Sequence, residues 1–453
     1  MKAASFLLIP ALLCAQVIDT VIRFPSNVGE LLYVPTGNKL YVKLRSPHLY
    51  ILDCSTYAIR NIIPAEQYPW WPVPRGGWNW RRNKVYYAMG TDTAGLVVID
   101  NATDSVTKWI DYPAYSRPVY NSLNDKVYAL GVCDSSDLAV IDCETDSIVK
   151  FITQPYNLAN FVVWDSVGNK VYVGSAGWTG ADEVTVIDCE TDSVVAIVHS
   201  QVRPDRAAYS YHQRKLYVGG EFSHERGAVI DCAADTLIRN LRVGEETWAP
   251  LVWNSIEDKV YWPGTFSSGD SISVISCKTD SVIGRVPVPD SCQDDTWWCC
   301  MLPWSNRLYF ASDGYDSTGS FNYLTVLDCA NDSVISQIRF GKLAEEIVCN
   351  PIDHLVYISD WWDSAVYVFR DEIPGVAEDP NTTVEPAEFA VRPNPACDRL
   401  HLGGRQPAKL YAITGRKVAD LQPGENDIRH LAPGIYFVRW SSDRPTTKVV
   451  VHE

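Results

Sequence analysis

A phrase of the form NKVY returns eight times along the chain. It reads NKLY at 38–41, NKVY at 83–86, DKVY at 125–128 and NKVY at 169–172, then RKLY at 214–217, DKVY at 258–261, NRLY at 306–309 and HLVY at 354–357. The tyrosines that end it are Tyr41, Tyr86, Tyr128, Tyr172, Tyr217, Tyr261, Tyr309 and Tyr357, spaced 42 to 48 residues apart. A second phrase keeps step with the first: ILDC at 51–54, VIDN at 98–101, VIDC at 140–143, 186–189 and 229–232, VISC at 274–277 and VLDC at 326–329. A period this regular confines the chain to copies of one small unit, stacked or arranged in a ring.

Each copy reads as four short strands. In the fourth copy they are NFVVWDS, KVYVGS, EVTVID and SVVAIV, rich in Val, Ile and aromatics and separated by Gly, Asp, Asn and Ser. No segment carries a sustained helical period. Four strands in roughly 40–50 residues mark a β-propeller blade. First, second and third strands occur eight times but fourth strands only seven, because AVYVFRD runs on into EIPGVAEDP. The segment DTVIRFP at 19–25 resembles the fourth-strand segment DSVIGRVPV at 280–288. The N-terminal strand is therefore predicted to complete the last blade, which hides both edges of an open ring. The expectation is an all-β, eight-bladed propeller over residues 16–371, with seven blades as the alternative count.

The wording NKVYV…VxVID…TDSVV resembles the YVTN-type β-propeller repeat of secreted and surface-layer proteins, over residues 17–372. The resemblance implies the fold and leaves the role open, since that family holds proteins of many roles. The cysteine of VIDC stands where the family often has a threonine.

The repeat also assigns that cysteine. DCETDS joins the third and fourth strands, so it is predicted to be a hairpin turn, with Asp188 capping backbone N–H groups and Asp192 taking the left-handed position. Cys54, Cys143, Cys189, Cys232, Cys277 and Cys329 hold the same place in six different blades. Equivalent points on neighbouring blades are too far apart for a disulfide and cannot converge on one metal. Outside the register stand Cys14, Cys133, Cys292, Cys299, Cys300, Cys349 and Cys397. SCQDDTWWCC offers a disulfide of Cys292 with Cys299 or Cys300 in an oxidising compartment, or else free thiols; no His joins it for a metal.

The chain has 16 Trp, and its aromatics fall into two classes. Eight residues before each repeat tyrosine stand Tyr33, Trp78, Tyr120, Trp164, Tyr209, Trp253, Met301 and Cys349, on the innermost strand, where blade-to-blade packing is expected. The others, out of register, are assigned to the connections between second and third strands and between fourth and first strands. These open on one face of the ring: Trp70, Trp71, Tyr112, Tyr115, Tyr156, Trp178, Phe222, Trp248, Trp297, Trp298, Tyr315, Trp361 and Trp362. Exposed aromatics gathered on one face mark a binding surface, and flat indole rings suit sugar rings or protein anchors. The candidate ligand residues are Trp70, Trp71, Trp178, Trp248, Trp297, Trp361 and Trp362; packing beneath a thick rim is the other reading.

Catalytic signatures are missing from the sequence. No HExxH or GxSxG occurs, and DGYDSTGS at 313–320 lacks the alternating acids of a calcium loop. No catalytic residue, metal or cofactor is implied. The formal charge of −16 argues against a nucleic-acid or anionic-membrane partner.

The two ends carry targeting features. MKAASFLLIPALLCAQ reads as a signal peptide over residues 1–15, with an apolar run too short to span a bilayer. Cys14 suggests a lipid anchor, but Leu13 stands where such a site normally needs a small residue. Residues 372–388, EIPGVAEDPNTTVEPAE, read as an acidic, Pro-rich linker, and 389–453 alternate like the strands of a small β-sandwich. That segment resembles the C-terminal sorting domain of the type IX secretion system, type A. The resemblance rests on Pro393, Asn394 and Pro395, then Gly415, then Gly434, Ile435, Tyr436, Phe437 and Val438, and finally Lys448. It implies that secretion machinery recognises this domain and that the protein is released or attached to the outer cell surface; an accessory sandwich that stays attached is the alternative. The leading expectation is a secreted or surface propeller that binds a glycan or a surface protein and catalyses nothing. The alternatives are a lactonase- or lyase-like propeller enzyme and a structural surface-layer component.

Overall fold

A computed structural model describes residues 18–45, 48–64, 76–89, 95–114, 116–131, 137–154, 159–175, 182–219, 226–243, 249–264, 271–287 and 296–371 of the first unit, and 391–392, 399–402, 407–412, 417–428, 431, 434–439 and 447–451 of the second. The chain divides between Ile373 and Pro374.

The first unit is an eight-bladed propeller. Seven blades are consecutive four-stranded antiparallel meanders, covering 28–64, 76–110, 119–152, 159–199, 206–242, 252–287 and 296–340. The eighth takes three strands from 344–370 and its outermost strand, Ile18–Arg23, from the chain start. Val21 pairs with Tyr367 and Arg23 with Ala365 across that joint. Closure by the N-terminal strand and the count of eight both hold. Burial falls from inside to outside: the second strand of blade 1, Lys39–Leu44, is buried throughout, whereas the fourth, Ile59–Pro64, is mostly exposed. Apolar clusters fill the spaces between successive blades, so the core is a ring of interfaces and each blade is stable only beside its neighbours.

The hairpin turn between third and fourth strands takes its predicted form. Asp188 Oδ1 accepts the N–H groups of Glu190 at 3.1 Å and Thr191 at 2.9 Å, and Asp192 has φ of 51°. Asp192 does more than turn the chain. Its carboxylate accepts Lys126 Nζ at 2.6 Å and the Tyr128 hydroxyl at 2.8 Å, both from the preceding blade. The same pair recurs from Lys84 and Tyr86 to Asp146, from Lys170 and Tyr172 to Asp235, from Lys215 and Tyr217 to Asp280, and from Lys259 and Tyr261 to Asp332. Lys39 reaches Asp104 while Tyr41 uses Asn101, the residue in the cysteine position of blade 2. The repeated Lys and Tyr are thus one half of an interblade latch whose other half is the turn aspartate of the next blade.

The register cysteines are buried, 0 to 2 % exposed, and unpaired with one another. Cys189 donates its backbone N–H to Asn169 O at 3.0 Å, and its own carbonyl accepts Lys126 Nζ at 3.3 Å. Burial pushes these thiols up to about 11 for Cys189 and Cys329 and to about 12 for Cys54, Cys143, Cys232 and Cys277. They are structural small residues.

The second unit holds two sheets. Val391–Arg392, Arg399–Leu402 and Gly424–Asp427 form one; Lys417–Leu421, Ala408–Ala412, Gly434–Arg439 and Thr447–Val451 form the other. Their core includes Leu400, Leu410, Tyr436, Val438 and Val449. Of the residues that carry the sorting-domain resemblance, Gly434, Ile435, Tyr436, Phe437 and Val438 share one strand, and Phe437 pairs with Lys448 on the next. Pro393, Asn394, Pro395 and Gly415 lie outside the described residues.

Candidate functional site

The meander gives the ring two unlike faces. Turns between first and second strands and between third and fourth strands make one, with left-handed residues such as Asn169 at φ of 50° and Asp192 in nearly every copy. The other, the loop face, receives the connections between second and third strands and from each blade to the next.

Among the described residues, the loop-face aromatics cluster on blades 7 and 8. Trp361 and Trp362 form the turn between Leu355–Asp360 and Ala365–Arg370. Trp361 donates its backbone N–H to Leu343 O at 2.8 Å, and the Arg45 guanidinium of blade 1 lies 5.6 Å from its ring centre. Trp362 is 54 % exposed. Tyr315, 66 % exposed, stands at the tip of the hairpin formed by Arg307–Asp316 and Gly319–Asp328 in blade 7. The tip of that hairpin is braced by Arg339, 3.6 Å over the Phe321 ring and 2.7 Å from Asp316 Oδ2.

Two sequence assignments change. Tyr112 is buried, donating its hydroxyl to Asp137 O at 2.5 Å and Ala129 O at 3.3 Å, and fills the space between blades 2 and 3. Trp297 and Trp298 belong to the first strand of blade 7, Thr296–Leu302, and not to a loop; Trp298 packs between blades 7 and 8. The strand begins 13 residues before the repeat tyrosine, as the first strands of blades 1, 4 and 8 do, and pairs with the second strand as far as Ser312. Trp70, Trp71, Tyr115, Tyr156, Trp178, Phe222 and Trp248 lie outside the described residues.

Charged groups line the loop-face ends of the innermost strands. Arg117, just before the first strand of blade 3, pairs with Glu346 of blade 8 at 3.3 Å. Those blades are not neighbours, so the pair bridges the central opening. Glu345, Glu346 and Glu30 are all buried nearby on first strands. Asp205 at the start of blade 5 accepts Asn160 Nδ2 of blade 4 at 2.6 Å and pairs with Arg203 at 3.1 Å. Burial raises its pKa against the pull of Arg203 and Arg206. Burial likewise raises Asp360, although it accepts N–H groups from Lys342, Leu343 and Asp363. Both carboxylates are tied to neighbouring structure, which suits them to positioning loops. The sequence did not single out either one; only the ring geometry brings their partners together. Among the described residues no group of three or more His, Cys, Asp or Glu could hold a metal ion, and no helix is long and apolar enough to cross a membrane.

Solved structures similar to this chain share its ring. BamB from Moraxella catarrhalis matches with a TM-score of 0.55 at 14% identity, covering 79% of this chain and 100% of its own. The computationally designed Ika8 protein matches with a TM-score of 0.58 at 13% identity, over 77% of this chain and 98% of its own. Hydrazine synthase of Kuenenia stuttgartiensis matches with a TM-score of 0.51 at 12% identity, over 79% of this chain and 99% of its own. At such identities the likeness establishes the propeller fold alone. No family model and no curated protein sequence matches the chain.

Proposed function

We propose that this protein is a secreted or cell-surface β-propeller that binds a glycan or a surface protein through its loop face and performs no chemistry on it. The observation that carries this reading is the exposure of Trp362 and Tyr315 on the loop face of adjacent blades, with Trp361 beside them under the Arg45 guanidinium. Large rings held out of the core cost hydration free energy unless something covers them. A planar ring beside an arginine offers stacking and hydrogen bonding at once, which suits a sugar or a polar protein anchor. The carboxylates with raised pKa, Asp205 and Asp360, are occupied in holding strands and loops, which weighs against an enzyme.

Export is part of the same proposal. The signal-like start, the YVTN-type wording of the repeats and the ordered likeness of residues 389–453 to a type IX sorting domain support a route across the outer membrane. The test is to titrate the full chain with cell-surface and environmental polysaccharides, such as mannan, xylan, chitin and an exopolysaccharide, while following Trp fluorescence. Saturable quenching supports the glycan reading. A flat response to every polymer moves the proposal to a protein ligand, to be sought by cross-linking at Tyr315.

A further inference from the structure

The residue eight places before each repeat tyrosine does the same work at most blade junctions: a ring from one blade packs against a small or aliphatic residue of the preceding blade. Tyr209 shares a cluster with Val163, Trp253 with Ala208, and Tyr33 with Val348. The junction between blades 7 and 8 departs from this rule at both positions. Cys349 stands where the ring should be, and Cys300 stands where its aliphatic partner should be. The two thiols stand at facing register positions in the one cluster that fills this junction. Both converge on the Met301 carbonyl, Cys300 Sγ at 3.8 Å and Cys349 Sγ at 3.9 Å. Cys299, next along the strand, points to the opposite side and donates to Pro250 O of blade 6 at 3.1 Å. Neither Cys300 nor Cys349 is fully buried.

We infer that Cys300 and Cys349 form a redox-controlled disulfide that staples blade 7 to blade 8. This is independent of what the loop face binds. The site lies beside the blade that is completed by a strand from the far end of the chain, so a covalent joint there fastens the ring next to its closure. The chemistry is thiol–disulfide exchange with a disulfide oxidant. The Cys349 thiolate attacks one sulfur of the oxidant, forming a mixed disulfide and expelling one thiolate. Cys300 then attacks Cys349 Sγ, and its proton passes to the second departing thiolate. The protein loses two electrons and two protons, and the oxidant becomes two thiols. The neighbouring Cys300 thiol lowers the pKa of Cys349, which favours Cys349 as the attacking sulfur. Forming the bond needs the two sulfurs, both within 4 Å of the Met301 carbonyl oxygen, to close to the ~2.05 Å of a disulfide.

The test oxidises the full chain with glutathione disulfide, blocks the remaining thiols and maps the peptides by mass spectrometry. The expected result is a Cys300–Cys349 cross-linked peptide as the main product, with a Tm raised by a few degrees and returned by dithiothreitol. The Cys349→Ala variant loses both effects; if it fails to fold, the wild-type map decides alone. A Cys292 link to Cys299 or Cys300, separate glutathione adducts on Cys300 and Cys349, or a cross-link with no rise in Tm overturns the proposal.

Discussion

Leu355 of blade 8 and Tyr57 of blade 1 occupy the two positions that hold a lysine and its aspartate at six other junctions of the ring. Both lie in the apolar cluster that joins these blades. At the seventh, Arg307 replaces the lysine and pairs at 2.6 Å with Asp371, which stands three residues earlier in the register, in the place of the cysteine. The ionic latch is thus exchanged for an apolar contact at the one junction where the first and last blades of the ring meet. Tyr57 keeps the left-handed φ of the turn, at 57°, and reaches Asp19 on the closing strand with its hydroxyl at 3.2 Å.

That exchange predicts coupling. Leu355→Lys alone buries a charge at a site 2 % exposed and should cost about 3 kcal/mol. Adding Tyr57→Asp supplies the carboxylate and relieves a strained tyrosine, so the double variant should recover about 1–2 kcal/mol of that loss. A double-mutant cycle in urea reads the coupling directly.

The latch between Lys126 and Asp192 should be worth more than a surface ion pair, because Asp192 is 8 % exposed and also accepts the Tyr128 hydroxyl. Asp192→Ala removes both acceptors and the residue best suited to the left-handed turn. It should lower stability by about 3 kcal/mol, and Asp192→Asn by about half as much. Urea unfolding of the two variants gives the comparison.

Lys43 gives the fold a pH signature. Burial lowers its pKa to about 8, from the 10.5 of an exposed lysine. Between those values the unfolded chain holds a proton that the folded chain has released, so this residue makes stability rise with pH from about 8 upward. Below pH 8 its full penalty is present. Lys43→Met should therefore be more stable than wild type at pH 7 by about 2 kcal/mol, net of the lost bond to Leu44 O, and the gap should close by pH 10. Tm measured for both proteins across that range tests the sign.

The six register cysteines should be inert while the ring is folded. With burial holding their thiols at about 11 to 12, alkylation at pH 8 should be about 100-fold slower than in denaturant. Iodoacetamide labelling followed by peptide mapping would show this cysteine by cysteine.

The sequence makes the ring legible because the repeat is local: four strands, two tight turns and a missing fourth strand are all visible within one period or at the ends. It does not reveal the latch, since Lys126 and Asp192 belong to different copies and only curvature of the ring brings them together. Asp192 is readable as a turn residue and unreadable as a partner. Tyr112 looked like a loop aromatic because its burial depends on the next blade's carbonyls. Cys300 and Cys349 are visible in sequence only as departures from the pattern, and their facing directions come from the strands. Of the candidate ligand residues, Trp361 and Trp362 stand on the loop face with their rings described, and Trp297 has moved into a strand.

Binding by the loop face makes one demand that packing alone does not. Trp362 and Trp109 are similarly exposed, at 54 % and 51 %, but Trp109 lies on the outermost strand of blade 2, Ser105–Ile110. With the polysaccharide that quenches wild-type fluorescence, Trp362→Ala should weaken the affinity by about tenfold or more, and Trp109→Ala should leave it unchanged. Equal losses in the two variants, or affinity that survives Trp362→Ala, would contradict a loop-face binding site.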